Sequence, residues 1–325
     1  MARAHSSAPS ASSAAPRPRD QRRAAAAELA ERMRRTVQRR RRTRWGAGAA
    51  AVLVAASVGA YLANQGNEAA PSTTATAAAP VVGGDLHTLT AIKDALYVGG
   101  HAAAAVSHDG GRRWNSIPSL DGADAMGWAV TPTAVLAGGH PGLFRSSDNG
   151  ATFSAVTGAA AVPDVHALGG TGNTVYLGSP QAGLLASTDG GSSWQVRNAA
   201  AGRSVMGTIL VDPTRPERLL APDMSAGLTS SADGGRTWTP VGGPGRAMAA
   251  AWNPVNIREI VAVGMDGGAR SADGGATWQP ITVPAGSSAV AYAPDGRTLY
   301  AGALDGEQAL TFRSTDNGAT WTKTA

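Results

Sequence analysis

An eight-residue pattern recurs six times in this 325-residue chain and constrains its fold more than any other feature. Each copy has a Ser, an Asp two residues later, a Gly two residues after that, and a Trp or Phe three residues further on. The copies begin at Ser107, Ser146, Ser187, Ser231, Ser271 and Ser314. Each copy predicts a tight turn, because Asp accepts hydrogen bonds from nearby backbone N–H groups and Gly readily adopts positive φ.

The spacing of the copies predicts how the chain is arranged. Consecutive copies begin 39, 41, 44, 40 and 43 residues apart, with short apolar runs between them. Such a period is typical of four-stranded blades arranged around an axis, since one blade cannot bury both of its faces alone. We therefore predict an all-β fold, a six-bladed β-propeller over residues 81–325, in which each blade has strands A to D and strand A lines the central channel.

The first 80 residues differ from the repeats in composition. Residues 1–44 carry 13 basic and 3 acidic side chains, whereas the rest of the chain carries 15 and 20. Because the predicted propeller is mildly acidic, the basic pI does not indicate nucleic-acid binding, which needs positive charge on the folded domain. The chain contains no Cys, which excludes disulfides, thiolate catalysis and Cys-based zinc sites.

Residues 45–63 form a stretch of nineteen residues without a charged side chain. This is about the length that a helix needs to cross ~30 Å of hydrocarbon. Five arginines lie in the six residues before it, and no basic residue follows it up to residue 80. We therefore predict a transmembrane helix over residues 45–63, preceded by a basic, partly helical segment (residues 1–44) and followed by a flexible linker (residues 64–80). The positive-inside rule places residues 1–44 in the cytoplasm. The propeller then lies outside the cytoplasmic membrane; a cleaved signal peptide and a secreted propeller are the alternative.

The residues of the repeated turn have mechanical roles. The carboxylate is expected to accept backbone N–H groups, and the aromatic ring to fill the gap between neighbouring sheets. A structural role is therefore assigned to Asp109, Asp148, Asp189, Asp233, Asp273 and Asp316. The pattern resembles the Asp-box, or BNR, repeat of sialidases, related glycosidases and non-enzymatic propellers. The resemblance implies a sialidase-like or glycosyl hydrolase-like, membrane-anchored bacterial propeller, but such a fold does not by itself assign an activity.

The blade template sorts the other residues onto two ends of the propeller. The D-to-A and B-to-C connections meet at one end, here termed the funnel face, where propellers bind ligands. The repeated turns lie at the opposite end. A glycosidase of the resembled kind needs two carboxylates. The candidate catalytic residues precede strand A of the first three blades or lie in the last B-to-C loop; they are Asp85, Asp124, Asp164 and Glu307.

A sialidase-like site would also need an arginine cluster for a substrate carboxylate and a Tyr nucleophile. Arg197, Arg203 and Arg246 are the arginines predicted to lie in D-to-A connections, so they are the candidate carboxylate-binding residues. Three tyrosines repeat at one position of strand B, which is typical of packing. The Phe/Tyr-Arg-Ile-Pro motif of many sialidases is missing, so the catalytic residues of a sialidase are not identifiable.

Histidine and methionine also sort onto the funnel face. Five of them lie two residues after the rim positions of successive blades: His87, Met126, His166, Met206 and Met248. The B-to-C loops add His101, His140, Met224 and Met265. Imidazole and thioether ligands together suit copper, particularly Cu(I). Copper is therefore the candidate cofactor and these nine residues its candidate ligands, while packing of Met in a narrow channel is the alternative.

These observations lead to three expectations for function. The first is a membrane-anchored, extracytoplasmic binding or scaffold module that holds an unknown protein or glycan at the funnel face. The second is a sialidase-like glycoside hydrolase, and the third is a copper-binding module. The expected partners are thus this ligand and the membrane, contacted through residues 45–63, with no nucleic acid.

Overall fold

The computed structural model describes residues 78–324. The predicted cytoplasmic segment and transmembrane helix, and most of the predicted linker, lie outside this range. Within it the chain forms six mainly antiparallel sheets, five with four strands and one with five. The prediction of an all-β, six-bladed propeller is confirmed. None of the helices among the described residues has the length and apolar character needed to cross a membrane.

Each of the first three blades follows the predicted order of strands. Blade 1 comprises β1 (Leu86–Ile92), β2 (Ala95–Gly100), β3 (Ala104–Ser107) and β4 (Asn115–Ser116). Blade 2 comprises β5 (Gly127–Val130), β6 (Val135–Gly138), β7 (Leu143–Ser146) and β8 (Ser154–Ala155). Blade 3 comprises β9 (Ala167–Thr171), β10 (Thr174–Ser179), β11 (Gly183–Ser187) and β12 (Gln195–Asn198). Two 3₁₀ turns, Pro118–Leu120 and Gly158–Ala160, follow blades 1 and 2.

The last three blades repeat this order with one interruption. Strand A of blade 4 is divided into β13 (Gly207–Thr208) and β14 (Leu210–Val211), followed by β15 (Leu219–Asp223), β16 (Gly227–Ser231) and β17 (Thr239–Gly242). Blade 5 comprises β18 (Ala247–Asn253), β19 (Asn256–Gly264), β20 (Gly267–Ser271) and β21 (Gln279–Ile281). Blade 6 comprises β22 (Ser287–Tyr292), β23 (Leu299–Asp305), β24 (Gln308–Ser314) and β25 (Thr322–Lys323).

Strand β13 pairs in parallel with β9 and so joins blade 4 to blade 3. This pairing requires a close approach at Gly169, where an added Cβ would lie 1.7 Å from the carbonyl oxygen of Ile209. Because Gly169 has no side chain, the inner strands of these two blades can meet. The repeat pattern did not predict this contact between blades.

Apolar side chains from neighbouring blades form shared cores. Leu136 of blade 2 packs with Leu168 and Leu177 of blade 3, and all three are fully buried. Trp194, which ends the third repeated turn, packs against the same cluster. At about 25 cal/mol per Å² of buried apolar area, this burial between blades is the main source of stability.

Both ends of the described chain complete blade 6. Val81 pairs with Gln308, and Ala309 N–H donates to the carbonyl oxygen of Pro80 (2.9 Å). At its other end β24 pairs with β25. The outer edge of β24 is thus covered by two separate segments, which closes the ring and removes an unpaired sheet edge.

The repeated turns are built by hydrogen bonds from Ser and Asp. In the second copy, Ser146 Oγ accepts the Gly150 N–H (2.8 Å) and donates to Asp148 Oδ1 (2.6 Å). The same oxygen of Asp148 accepts the backbone N–H groups of Ala151 and Thr152 at 3.1 and 2.9 Å. Hydrogen bonds from the hydroxyls of Ser146 and Thr152 lead the interactions that hold the pKa of Asp148 far below its usual range.

Candidate functional site

Two groups of His and Asp side chains come together at the funnel face. His87, His101 and Asp124 form cluster 1, which joins blade 1 to the segment that leads into blade 2. His140, Asp164 and His166 form cluster 2, which joins blade 2 to blade 3 in the same way. In each cluster, one possible ligand atom per residue lies within 4.8 Å of the others. The two clusters contain six of the thirteen residues that the sequence nominated for catalysis or metal binding.

A Gly-Gly-His run after strand B brings each cluster together. In blade 2, Asp124 N–H donates to the His140 carbonyl oxygen (3.0 Å), and Val165 N–H donates to the Gly139 carbonyl oxygen (3.1 Å). A Cβ on Gly139 would lie 1.5 Å from the Asp124 carbonyl oxygen. Only glycine therefore lets the segments that carry Asp124 and Asp164 approach His140.

Cluster 2 has a compact set of donor atoms. Asp164 Oδ1 lies 3.1 Å from His166 Nε2 and 3.2 Å from His140 Nδ1. The two imidazoles also contact each other, with 3.3 Å between their Nε2 atoms. Asp164 Oδ1 is buried. Its contacts with the two imidazoles have the length of hydrogen bonds but not the geometry, so this oxygen accepts no hydrogen bond from the described residues. His140 thus faces Asp164 with Nδ1 and His166 with Nε2. One of these nitrogens, together with Asp164 Oδ1 and His166 Nε2, offers three possible ligand atoms within 4.8 Å of one another.

Cluster 1 combines a buried carboxylate with an exposed imidazole, since the side chain of His101 is 64% exposed. His101 Nδ1 lies 3.2 Å from Asp124 Oδ1, and Asp124 is buried. The rings of His87 and His101 meet edge to face with 6.4 Å between centroids. His87 Nε2 is buried without a hydrogen-bond partner among residues 78–324.

Burial controls the protonation of two of the imidazoles. Desolvation lowers the pKa of His87, although Asp124 and Asp85 oppose the change. Desolvation likewise lowers the pKa of His166 and outweighs the neighbouring Asp164 carboxylate. Burial therefore favours the neutral form of both imidazoles, which is the form that coordinates a metal ion.

The methionines meet beside cluster 1 in a cavity of about 100 Å³, here termed the methionine cavity. Its lining contains every methionine of the described chain: Met126, Met206, Met224, Met248 and Met265. His87 lines it on the side of blade 1, and Arg246 on the side of blade 5. The nine residues nominated as metal ligands thus occupy three adjoining places, two clusters and one cavity.

The carboxylates and arginines nominated for a glycosidase are arranged differently. Asp124 and Asp164 each contact an imidazole, whereas Asp85 and Glu307 are exposed. Of the three arginines, Arg246 lines the methionine cavity and Arg203 is exposed in the turn after β12. The placement of Arg197 in a D-to-A connection was wrong. This residue lies within β12, because the strand continues to Asn198, whose side chain bonds the Arg236 carbonyl oxygen (2.9 Å).

Sequence reasoning overlooked the glycines that shape the site. Gly99 and Gly100 precede His101 just as Gly138 and Gly139 precede His140. Added Cβ atoms at Gly99 and Gly100 would lie 2.4 and 2.3 Å from the carbonyl oxygens of Ala125 and Asp85. The repeated Gly-Gly-His run was the available signal, because it occurs only in the two blades that supply the clusters.

Comparisons with known proteins agree with the fold. The family model of the BNR/Asp-box repeat matches residues 312–323, which contain the whole of the sixth repeated turn. The GH74 xyloglucanase from Xanthomonas campestris is 20% identical with a TM-score of 0.51, and the match covers 76% of this chain and 46% of that one. The Niastella koreensis GH74 enzyme is 17% identical with a TM-score of 0.53, again covering 76% and 46%.

A smaller propeller matches over most of its own length. YCF48 from Cyanidioschyzon merolae is 16% identical with a TM-score of 0.51, and the match covers 75% of this chain and 86% of that one. The chain spans less than half the length of the two GH74 enzymes. No curated protein sequence matches it. At these identities the similarity shows a shared fold and carries no activity with it.

Proposed function

We propose that this Asp-box (BNR) repeat propeller is a binding module whose funnel face holds a transition-metal ion, copper(II), at cluster 2. One observation carries the proposal: a buried carboxylate oxygen lies 3.1 and 3.2 Å from nitrogens of two imidazoles and accepts no hydrogen bond of acceptable geometry. Neighbouring ligand atoms that share one ion at bond lengths of about 2.0–2.2 Å lie about 2.8–3.6 Å apart, for angles from the 90° of tetragonal copper(II) to the tetrahedral value. The two separations measured from Asp164 Oδ1 lie in this range.

The donor set favours copper(II) among the common ions. Two imidazoles and one carboxylate suit borderline divalent metals such as Zn(II) and Cu(II). Affinity for such sites rises along the series to copper and falls again at zinc, so copper(II) is expected to bind more tightly. His140 is half-exposed, which leaves room for water to complete the coordination.

Glycoside hydrolysis remains the competing function. It requires two carboxylates that are free to donate a proton and to act as base or nucleophile. Asp124 and Asp164 instead face imidazoles, which supports binding over hydrolysis. Activity of the purified protein on xyloglucan or on a panel of glycosides, lost on Asp164→Asn substitution, would favour the hydrolase.

The experiment is a calorimetric titration of the purified full-length protein with Cu(II) and Zn(II), accompanied by electron paramagnetic resonance. We expect Cu(II) to bind more tightly than Zn(II) and to show nitrogen hyperfine coupling. A His140→Gln/His166→Gln variant should bind Cu(II) more weakly by at least about tenfold. His108→Gln is the matched control, because His108 is exposed in a repeated turn. Equal Cu(II) affinity of the double variant and the control would refute the proposal.

The placement of the propeller outside the membrane is a second part of this proposal. It rests on the uncharged residues 45–63 and the arginines before them. Protease added to intact spheroplasts should digest a C-terminal epitope tag, and carbonate washing should leave the protein with the membrane. Release of the propeller into the medium would instead indicate cleavage of a signal peptide. The expected protein or glycan ligand at the funnel face stays a prediction.

A further inference from the structure

The methionines of the propeller converge on one cavity although they come from distant parts of the chain. Met126 leads into blade 2, Met206 and Met224 flank inner strands of blade 4, and Met248 and Met265 belong to blade 5. All five line the methionine cavity. The ring is thus chemically divided, with imidazoles on blades 1 to 3 and most thioethers on blades 4 and 5.

Exposure argues against a packing role for most of these side chains. Met224, Met248 and Met265 are 56%, 38% and 63% exposed, and they are half of the exposed large hydrophobic residues in the described chain. A methionine that fills a gap in a core is buried. Thioethers held in water around a concave surface are instead available to a ligand.

The size of the cavity limits what that ligand is. Small-molecule sites usually enclose about 300–1,000 Å³. The methionine cavity has a volume of about 100 Å³, which is enough for an ion and a few water molecules. His87 adds one nitrogen ligand, since its buried Nε2 atom has no hydrogen-bond partner among the described residues. The available donors are therefore neutral sulfur and imidazole nitrogen.

The charges at the cavity favour a monovalent over a divalent cation. No carboxylate lines the cavity within the described range, and the Arg246 guanidinium does. Arg246 lies 3.5 Å from Asp266, which partly compensates its charge. At a given distance, the remaining repulsion is half as large for a monovalent as for a divalent cation. Soft thioether ligands also favour copper(I) over harder divalent ions.

We infer that the methionine cavity is a copper(I) site, distinct in oxidation-state preference from the copper(II) site proposed at cluster 2. This inference goes beyond the proposed function and does not depend on it, because the two places share no residue. His87 is the one residue that belongs to both the cavity and cluster 1.

The direct test observes the thioethers themselves. The full-length protein is labelled at the methionine methyl carbons and titrated with Ag(I), an analogue of Cu(I) that does not change oxidation state. Met1 and Met33 lie outside the described residues and serve as internal references. We expect the methyl NMR signals of the cavity methionines to shift until one equivalent of Ag(I) is bound. Shifts no larger than those of the two references would overturn the inference.

The second test uses variants that separate the two copper sites. Met206→Leu/Met224→Leu/Met265→Leu should weaken Ag(I) binding by at least about tenfold and leave Cu(II) binding unchanged. A thermal unfolding curve like that of the wild type should show that the variant is folded. His140→Gln/His166→Gln should show the reverse pattern. Met33→Leu is the matched control for loss of a thioether. Ag(I) affinity of the triple variant equal to that of the control, or loss of Ag(I) binding in the histidine variant, would overturn the inference.

Discussion

A methyl group added at Gly139 should disturb both the stability of the propeller and its funnel face. The new Cβ would lie 1.5 Å from the Asp124 carbonyl oxygen, a distance that real Cβ contacts do not show. The segment before blade 2 must therefore move by about 1.5 Å, which exceeds the tolerance of the 3.0 Å hydrogen bond from Asp124 N–H to the His140 carbonyl oxygen. Overpacking against backbone costs about 1–3 kcal/mol and the lost hydrogen bond about 1 kcal/mol.

Thermal unfolding of Gly139→Ala measures this effect. A loss of about 3 kcal/mol in a domain of this size lowers Tm by about 6–12 °C. Gly84→Ala is the matched control, because nothing lies within 4 Å of its added Cβ. The control should be neutral or slightly stabilising. If the Tm of Gly139→Ala falls within about 1 °C of the control, the close approach of blades 1 to 3 does not hold the site together in the way described.

Three further predictions concern polar side chains in the core of blades 1 and 2 and in the sixth repeated turn. The hydroxyl of Thr88 on β1 accepts the buried Trp128 Nε1–H (2.9 Å), so Thr88→Val should lower the free energy of unfolding by about 2 kcal/mol in urea titrations. Thr90→Val should be neutral or stabilising, because the buried Thr90 hydroxyl has no partner among the described residues. Hydrogen bonds led by the Thr320 hydroxyl lower the pKa of Asp316 to about 2. Since this pKa is depressed on folding, the stabilisation is present above the unfolded value of about 4 and is lost as pH falls towards 2. Melting curves across this range should show the loss, and Asp316→Asn should reduce it.

The architecture could be predicted because its signals are local and repeated. Each turn from Ser to the aromatic residue fixes the C-to-D hairpin, and the apolar runs between the turns fix the inner strands. The up-and-down order of strands then assigns every connection to one end of the ring. That rule correctly placed His101 and His140 on the same face as Asp124 and Asp164.

Which of these residues meet could not be predicted, because the answer depends on distances between blades. His140 contacts Asp164 only because Gly139 lets the neighbouring segments approach to a distance that any other residue would prevent. The template also missed the division of strand A in blade 4, which follows from the contact of Ile209 with Gly169. Both features depend on a glycine, Gly139 or Gly169, that has no side chain. The repeat pattern describes each blade by itself, so it does not predict contacts between blades.

The repeated turns and the funnel face lie at opposite ends of the propeller, so residues of the funnel face can be substituted without unfolding the protein. The hydrogen bonds of the repeated turns and the cores between blades hold the fold, whereas the side chains of Met224 and Met265 are mostly exposed. Substitutions at exposed positions usually change stability by less than about 0.5 kcal/mol. The urea concentration at the midpoint of unfolding should therefore be the same for Met265→Leu as for the wild type. Trp128 is only 2% exposed, so Trp128→Ala should lower the free energy of unfolding by about 3–5 kcal/mol. A large loss of stability in Met265→Leu would mean that the methionines hold the blades together, and their exposure would then have to be explained without a ligand.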